Sequence, residues 1–117
     1  ITVSTSATAY NTSSDYRLKE NVVTDWDATT RLNQLKPSRF NFKTDKDTTV
    51  DGFLAHEVSS IVPEAVSGEK DAVDKDGNIE AQGIDQSKLV PLLTKALQEA
   101  MERIETLEAK VTALEGK

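Results

Sequence analysis

The stretch "SKLVPLLTKALQEAMERIETLEAKVTALE", Ser87 to Glu115, decides the architecture. Counted in heptads from Val90, the a positions are Val90, Leu97, Ile104 and Val111, and the d positions are Leu93, Ala100, Leu107 and Leu114. All but Ala100 are large and apolar, the pattern of a coiled-coil seam. The flanking g positions hold Arg103 and Lys110, and the e positions that follow hold Glu108 and Glu115. Neighbouring parallel helices can therefore pair Arg103 with Glu108 and Lys110 with Glu115. A helix over this stretch is roughly 45 Å long at 1.5 Å per residue, more than so small a domain can cover, so identical partners are expected. A single apolar stripe more commonly lies on its own domain, but sustained heptads with matched e and g charges favour association. β-branched residues at a with Leu at d suit two strands, and periodicity alone does not select three. Pro91 falls in the first turn, where its missing N–H is no loss. Ser87 is the expected cap, and Gly116 ends the helix.

Ahead of this helix the sequence reads as short elements of both kinds, an α+β domain. "DWDATTRLNQ", Asp25 to Gln34, carries acids at its start and predicts a short helix, ended before Pro37. "RFNFKT" alternates Phe40 and Phe42 against Arg39, Asn41 and Lys43, the period of a half-buried strand. A second strand is expected from Val50 to Leu54. In "AHEVSSIV", Ala55, Val58, Ile61 and Val62 share one helical face before Pro63. "DAVDKDGNIEAQGID" predicts a hairpin turning at Asp76-Gly77-Asn78. Its acids do not make a calcium loop: with Gly77 as the sharp-turn glycine, the anchoring positions fall on Ala72 and Gly83.

Composition narrows the function classes. The chain of 117 residues has no Cys and one Trp, so neither disulfides nor thiolate metal sites supplement a modest core, and no cofactor is expected. Net charge is −6, with cations dispersed among acids, which makes nucleic acid a poor partner. No apolar run approaches the roughly 20 residues of a membrane span, and no membrane partner is expected. Residues 1–14 are Ser/Thr-rich and alternate weakly, suiting a narrow β-stem or an exposed arm; the absence of a starting Met suggests the C-terminal end of a longer polypeptide.

Between these parts lies "SSDYRLKENV", Ser13 to Val22. A serine is a nucleophile when a base takes its proton, and a lysine is that base only when neutral. With an ordinary pKa of about 10.4, fewer than roughly one lysine in a thousand is neutral near pH 7, unless burial depresses the value. Ser14 and Lys19 are five apart, so a bend must bring them together. Arg17 cannot be a base but can hold Asp15 or stabilise an oxyanion. His56, the sole histidine, can support proton transfer or simply pack. On its own the cluster also fits a Ser-Asp turn opening a charged segment.

"SDYRLKENV" resembles the SDxRxK signature of the peptidase S74 family, the C-terminal intramolecular chaperones of bacteriophage tailspikes and tail fibres. The resemblance continues in order through "LNQLKPSRFNFK" (32–43), "DGFLAHEVSSIVPEAV" (51–66) and "SKLVPLLTKALQEAMERIETLEAKV" (87–111). It implies a homotrimer joined by a parallel trimeric coiled coil, which promotes folding of an upstream β stem in the infected bacterial cytoplasm and then detaches by a single autoproteolytic turnover. Residues 1–14 would be the end of that stem or a linker, 15–86 the globular chaperone domain and 87–117 the coiled-coil helix. Ser14 matches the nucleophile and Lys19 its base, with cleavage at Ser14–Asp15. Attack by Ser14 Oγ on its own carbonyl would close a strained four-membered ring, whereas the Ser13 carbonyl gives a five-membered one. Either a neighbouring chain's serine attacks, or an acyl shift begins one bond upstream. The alternatives are a structural cap that stays attached and, less in keeping with the few aromatics, a receptor-binding tip.

Overall fold

The computed structural model describes residues 13–116, together with the backbone of Thr2–Val3 (β1) and Thr8–Ala9 (β2), which pair antiparallel. The rest of the expected stem end lies outside the described residues. From Ser13 to Asp25 the chain is exposed throughout. It then meets α1 (Thr29–Leu32), β3 (Ser38–Phe40), β4 (Val50–Gly52), α2 (Ala55–Ser59), β5 (Val66–Ser67), β6 (Gly83–Ile84) and α3 (Val90–Glu115). The mixed α+β domain with a long terminal helix is as expected.

β3 and β4 form an antiparallel pair in the register Ser38 to Gly52, Arg39 to Asp51 and Phe40 to Val50. The strand is shorter than its alternation suggests. It ends at Phe40, and Phe42 lies beyond it, 62% exposed, with its ring edge-on to Phe40 at 5.4 Å. β5 and β6 pair around the predicted hairpin, whose own arms meet at Val73 and Ile79. Asp74 organises the turn: its Oδ1 accepts from the N–H groups of Asp76 and Asn78 at 2.8 and 3.0 Å. Gly77 supplies a positive φ of 81° there.

α1 is much shorter than the Asp25–Gln34 helix expected, because residues before Thr29 have another task. Trp26 packs against the core and lines hollows along α3, so this segment runs across the long helix. Asp27 accepts from the Thr30 hydroxyl at 2.6 Å, tying the approach to the first turn. α2 ends at Ser59, before Pro63, which instead opens a 3-10 turn (Pro63–Ala65). The long helix has Leu89 at its N-cap with no side-chain hydrogen bond, and Asp85 instead caps the 3-10 turn before it: Asp85 Oδ1 accepts from the Ser87 N–H at 3.1 Å and its hydroxyl at 2.6 Å. Asp85 lies two residues before the expected cap because a 3-10 turn (Gln86–Leu89) precedes α3.

The core is small: Ala28, Val58, Val62, Ala65, Leu89, Leu92 and Ala96 are buried, with Trp26, Leu32, Leu35 and Phe53 among the half-buried residues around them. Three contributions come from the head of the long helix, so that helix is part of the domain as well as its extension. Leu89 and Leu92 are only 1% and 3% exposed. With three alanines among seven buried residues, these leucines carry a large share of the buried apolar surface. Leu89→Ala or Leu92→Ala is expected to destabilise the fold by about 2–5 kcal/mol, read as a lower urea midpoint at fixed chain concentration.

Candidate functional site

The bend required between Ser14 and Lys19 is a 3-10 turn, Tyr16–Leu18. Asp15 opens it, accepting from the Arg17 N–H through Oδ1 at 2.9 Å. The Leu18 and Lys19 N–H groups close it on the carbonyls of Asp15 and Tyr16, both at 3.1 Å. Lys19 then leaves in extended conformation, and its side chain folds back so that Nζ donates to Ser14 Oγ at 2.8 Å. A Ser-x₄-Lys spacing that would diverge on a regular helix thus converges on a single turn.

Arg17 takes the first of its two expected roles. Its Nε and Nη2 donate to the two Asp15 oxygens at 3.0 and 2.7 Å, a bidentate pair of the stronger kind. The Arg17 side chain, and then its backbone N–H, hold the Asp15 carboxyl below the usual carboxylate range. Asp15 in turn raises Arg17 above the ordinary guanidinium value. The pair braces the turn that presents Ser14. His56 is not brought to this cluster. It lies exposed on α2, beside a groove lined by Phe40, Phe42 and Leu54, and makes no hydrogen bond to Ser14 or Lys19 among the described residues.

Ser14 and Lys19 are both exposed in the single chain, as are the apolar side chains Tyr16, Leu18, Val22 and Val23 close to them in the sequence. The same is true of the helix seam. Val90, Leu93, Leu97, Ile104, Leu107, Val111 and Leu114 are 47–65% exposed, and Ala100 is exposed with them. The two readings weighed for the long helix thus describe different faces of it. Leu89, Leu92 and Ala96, at positions g and c, lie on the domain, while a and d remain uncovered.

Residues 14–67 match the family model described as peptidase S74, the chaperone of endosialidase. This segment belongs to the peptidase S74 family. The matched span opens on Ser14, contains Lys19 and closes at Ser67, so the hairpin and the long helix follow it. Membership supports an intramolecular chaperone role in tail-fibre folding. No curated protein matches the chain.

One residue of structural consequence for the S74 segment lies outside it. Glu99, half-buried at position c of the long helix, accepts from the Ala28 and Thr29 N–H groups at 3.1 and 2.8 Å and from the Thr29 hydroxyl at 2.6 Å. It caps α1 from across the chain and anchors the root of the arm that carries Ser14. The available signal was an acid one turn beyond Ala96 and two beyond Leu92, continuing their face. The Thr29 hydroxyl, followed by the two N–H groups, keeps the Glu99 carboxyl below the usual range despite some desolvation. A depressed folded-state value contributes stability that is present above the ordinary glutamate pKa of about 4.3 and lost as pH falls through the folded value. Between pH 7 and 3 the thermal midpoint should therefore fall, and Glu99→Gln should reduce that fall while lowering the neutral-pH midpoint. Asp27 and Asp85, also held low by hydrogen bonds to Thr30 and Ser87, leave a residual slope.

Proposed function

We propose that this chain is a self-releasing assembly chaperone at the C-terminal end of a phage tail fibre or tailspike. Three copies associate through the exposed heptad seam, align the upstream stems, and are cut from them at Ser14–Asp15 by Ser14, with Lys19 as its base. The observation that carries this reading is the 2.8 Å contact from Lys19 Nζ to Ser14 Oγ at the first residue of the S74 match.

The chemistry requires Lys19 to take the Ser14 hydroxyl proton rather than donate to that oxygen. A lysine in water is protonated at neutral pH, and covering it with apolar surface favours the neutral amine. Among the described residues of one chain nothing covers this pair, while exposed apolar side chains lie close to it in the sequence. Neighbouring copies supply the cover, so the reaction awaits assembly. Attack by a neighbour's Ser14 Oγ on the Ser14 carbonyl carbon breaks the bond to the Asp15 nitrogen, which leaves with a proton. Water then hydrolyses the resulting ester. The alternative within one chain is an acyl shift at the Ser13 carbonyl, whose hydrolysis yields a fragment beginning at Ser14.

Such a device answers a folding problem. Interchain β stems depend on contacts distant in sequence, so unaided assembly is slow and prone to misregister. Joining three ends raises their local concentration to roughly millimolar, and register is set from that end. Removal of the chaperone leaves a fibre whose persistence is governed by its unfolding barrier. This work belongs in the infected bacterial cytoplasm during virion assembly.

Exposure of both reacting side chains also favours a second reading, a cap that remains attached. Mass spectrometry of the chain expressed with its upstream stem separates the two. A released fragment beginning at Asp15, together with a trimeric mass by light scattering, supports the first. Persistent full-length trimer supports the second.

A further inference from the structure

The long helix carries its own domain on the c and g side, which is also the side on which a parallel neighbour must approach through its e edge. At the head of the helix that flank is filled by Leu89, Leu92 and Ala96. Below them the domain ends, and a notch of about 940 Å³ opens, lined by Asp25, Trp26 and Asp27 from the arm's root and by Glu99, Glu102, Arg103, Leu107 and Lys110 from the helix. Arg103 and Lys110 form no ion pair within their own chain among the described residues. Lys110 has no acid three or four residues away in either direction. The acids that match the two cations, Glu108 and Glu115, lie five residues further on, about 140° around the helix at 3.6 residues per turn. They point away from the notch and reach its cations only from another copy.

Resting on the self-association proposed above, the geometry points to the notch as the seat of a neighbouring copy's helix edge, with Glu108 and Glu115 meeting Arg103 and Lys110 and Met101 entering at the upper end. The interface then includes Asp25 to Asp27 as well as the seam. That addition matters because the same few residues form the root of the arm bearing Ser14 and Lys19. A neighbour seated in the notch packs against this root on one side while Glu99 holds Ala28 and Thr29 on the other. Association is thereby felt where the reactive arm begins. The Arg103 charge already acts on this root, adding to the hydrogen bonds from Thr30 that hold Asp27 low.

The natural chain has no cysteine, so the contact can be tested by placing single thiols. Two differently tagged chains, Asp25→Cys and Glu108→Cys, are co-expressed and treated with a short bismaleimide. Asp25 makes no hydrogen bond among the described residues, and Glu108 is exposed, so both chains should fold. The mixed cross-linked dimer should form several-fold more than with Ala109→Cys, an outward f position, in place of Glu108→Cys. Lys110→Glu should weaken association, and Glu115→Lys in the same chain should restore it. An associated protein with equal cross-linking to positions 108 and 109 overturns the seat while leaving the seam intact. A monomer by light scattering overturns the self-association itself, and the seat with it.

Discussion

Ser14→Ala should leave the fibre polypeptide full-length after assembly, with the cleavage rate reduced by at least about 10³-fold, as expected when a nucleophile acting with its base is removed. Lys19→Ala should do the same, but the informative change is Lys19→Arg. Arginine keeps the positive charge and can still donate to Ser14 Oγ, yet it does not give up a proton in a protein. If Lys19 merely steadies the turn by its 2.8 Å contact, Lys19→Arg retains much of the cleavage. If it is the base, the arginine chain stays uncut while assembling normally. His56→Ala provides the complementary case: exposed on α2 and without a hydrogen bond to the pair, it should cut at the native rate. Mass spectrometry of the four variants, each first shown to assemble by light scattering, reads all of these outcomes. Cleavage in the Lys19→Arg chain at the native rate would remove Lys19 from the mechanism.

Much of this site could be read before any coordinates, for a local reason. Asp15, Arg17 and the turn between them are fixed by contacts spanning two or three residues, which depend little on the rest of the fold. The heptads were equally legible, because a regular period over 26 helical residues survives any choice of partner. Legibility failed where a distant group took over a local task. The sequence around Asp25 to Thr30 looks like a self-capped helix, but only the Thr30 N–H goes to Asp27, while those of Ala28 and Thr29 go to Glu99, some 70 residues away. Phe42 looks like the continuation of a strand that in fact stops at Phe40, where pairing with Val50 ends. Ser87 has the chemistry of a cap, but Asp85 holds its hydroxyl first. In each case the residue type was suitable and a competing partner decided its use.

Leu97→Asp combined with Ile104→Asp should reduce the protein to single chains without dissolving its globular part. Both positions are exposed in one chain, at 65% and 50%, so the isolated fold gives up little when they become polar. Burial in a seam would stabilise each aliphatic side chain by about 1.5–3 kcal/mol, and a carboxylate there has no partner to offset its lost hydration. Repeated in every copy, the two changes should weaken association by several orders of magnitude. Secondary structure should respond unevenly. The head of α3 stays docked through Leu89, Leu92 and Ala96 and the Glu99 hydrogen bonds, whereas every residue from Met101 to Gly116 is exposed in the single chain. An uncovered helix of that length is marginal in water, so far-UV circular dichroism should show partial helix loss with a preserved cooperative transition. Leu92→Ala should behave in the opposite sense, weakening that transition because it empties the core beneath the same helix. If assembly is what covers Ser14 and Lys19, the doubly substituted chain must also remain uncut despite an unaltered dyad. A monomeric yet fully cleaving chain would show that the seam and the reaction are independent, and a chain that still associates would mean that its copies meet through some other surface.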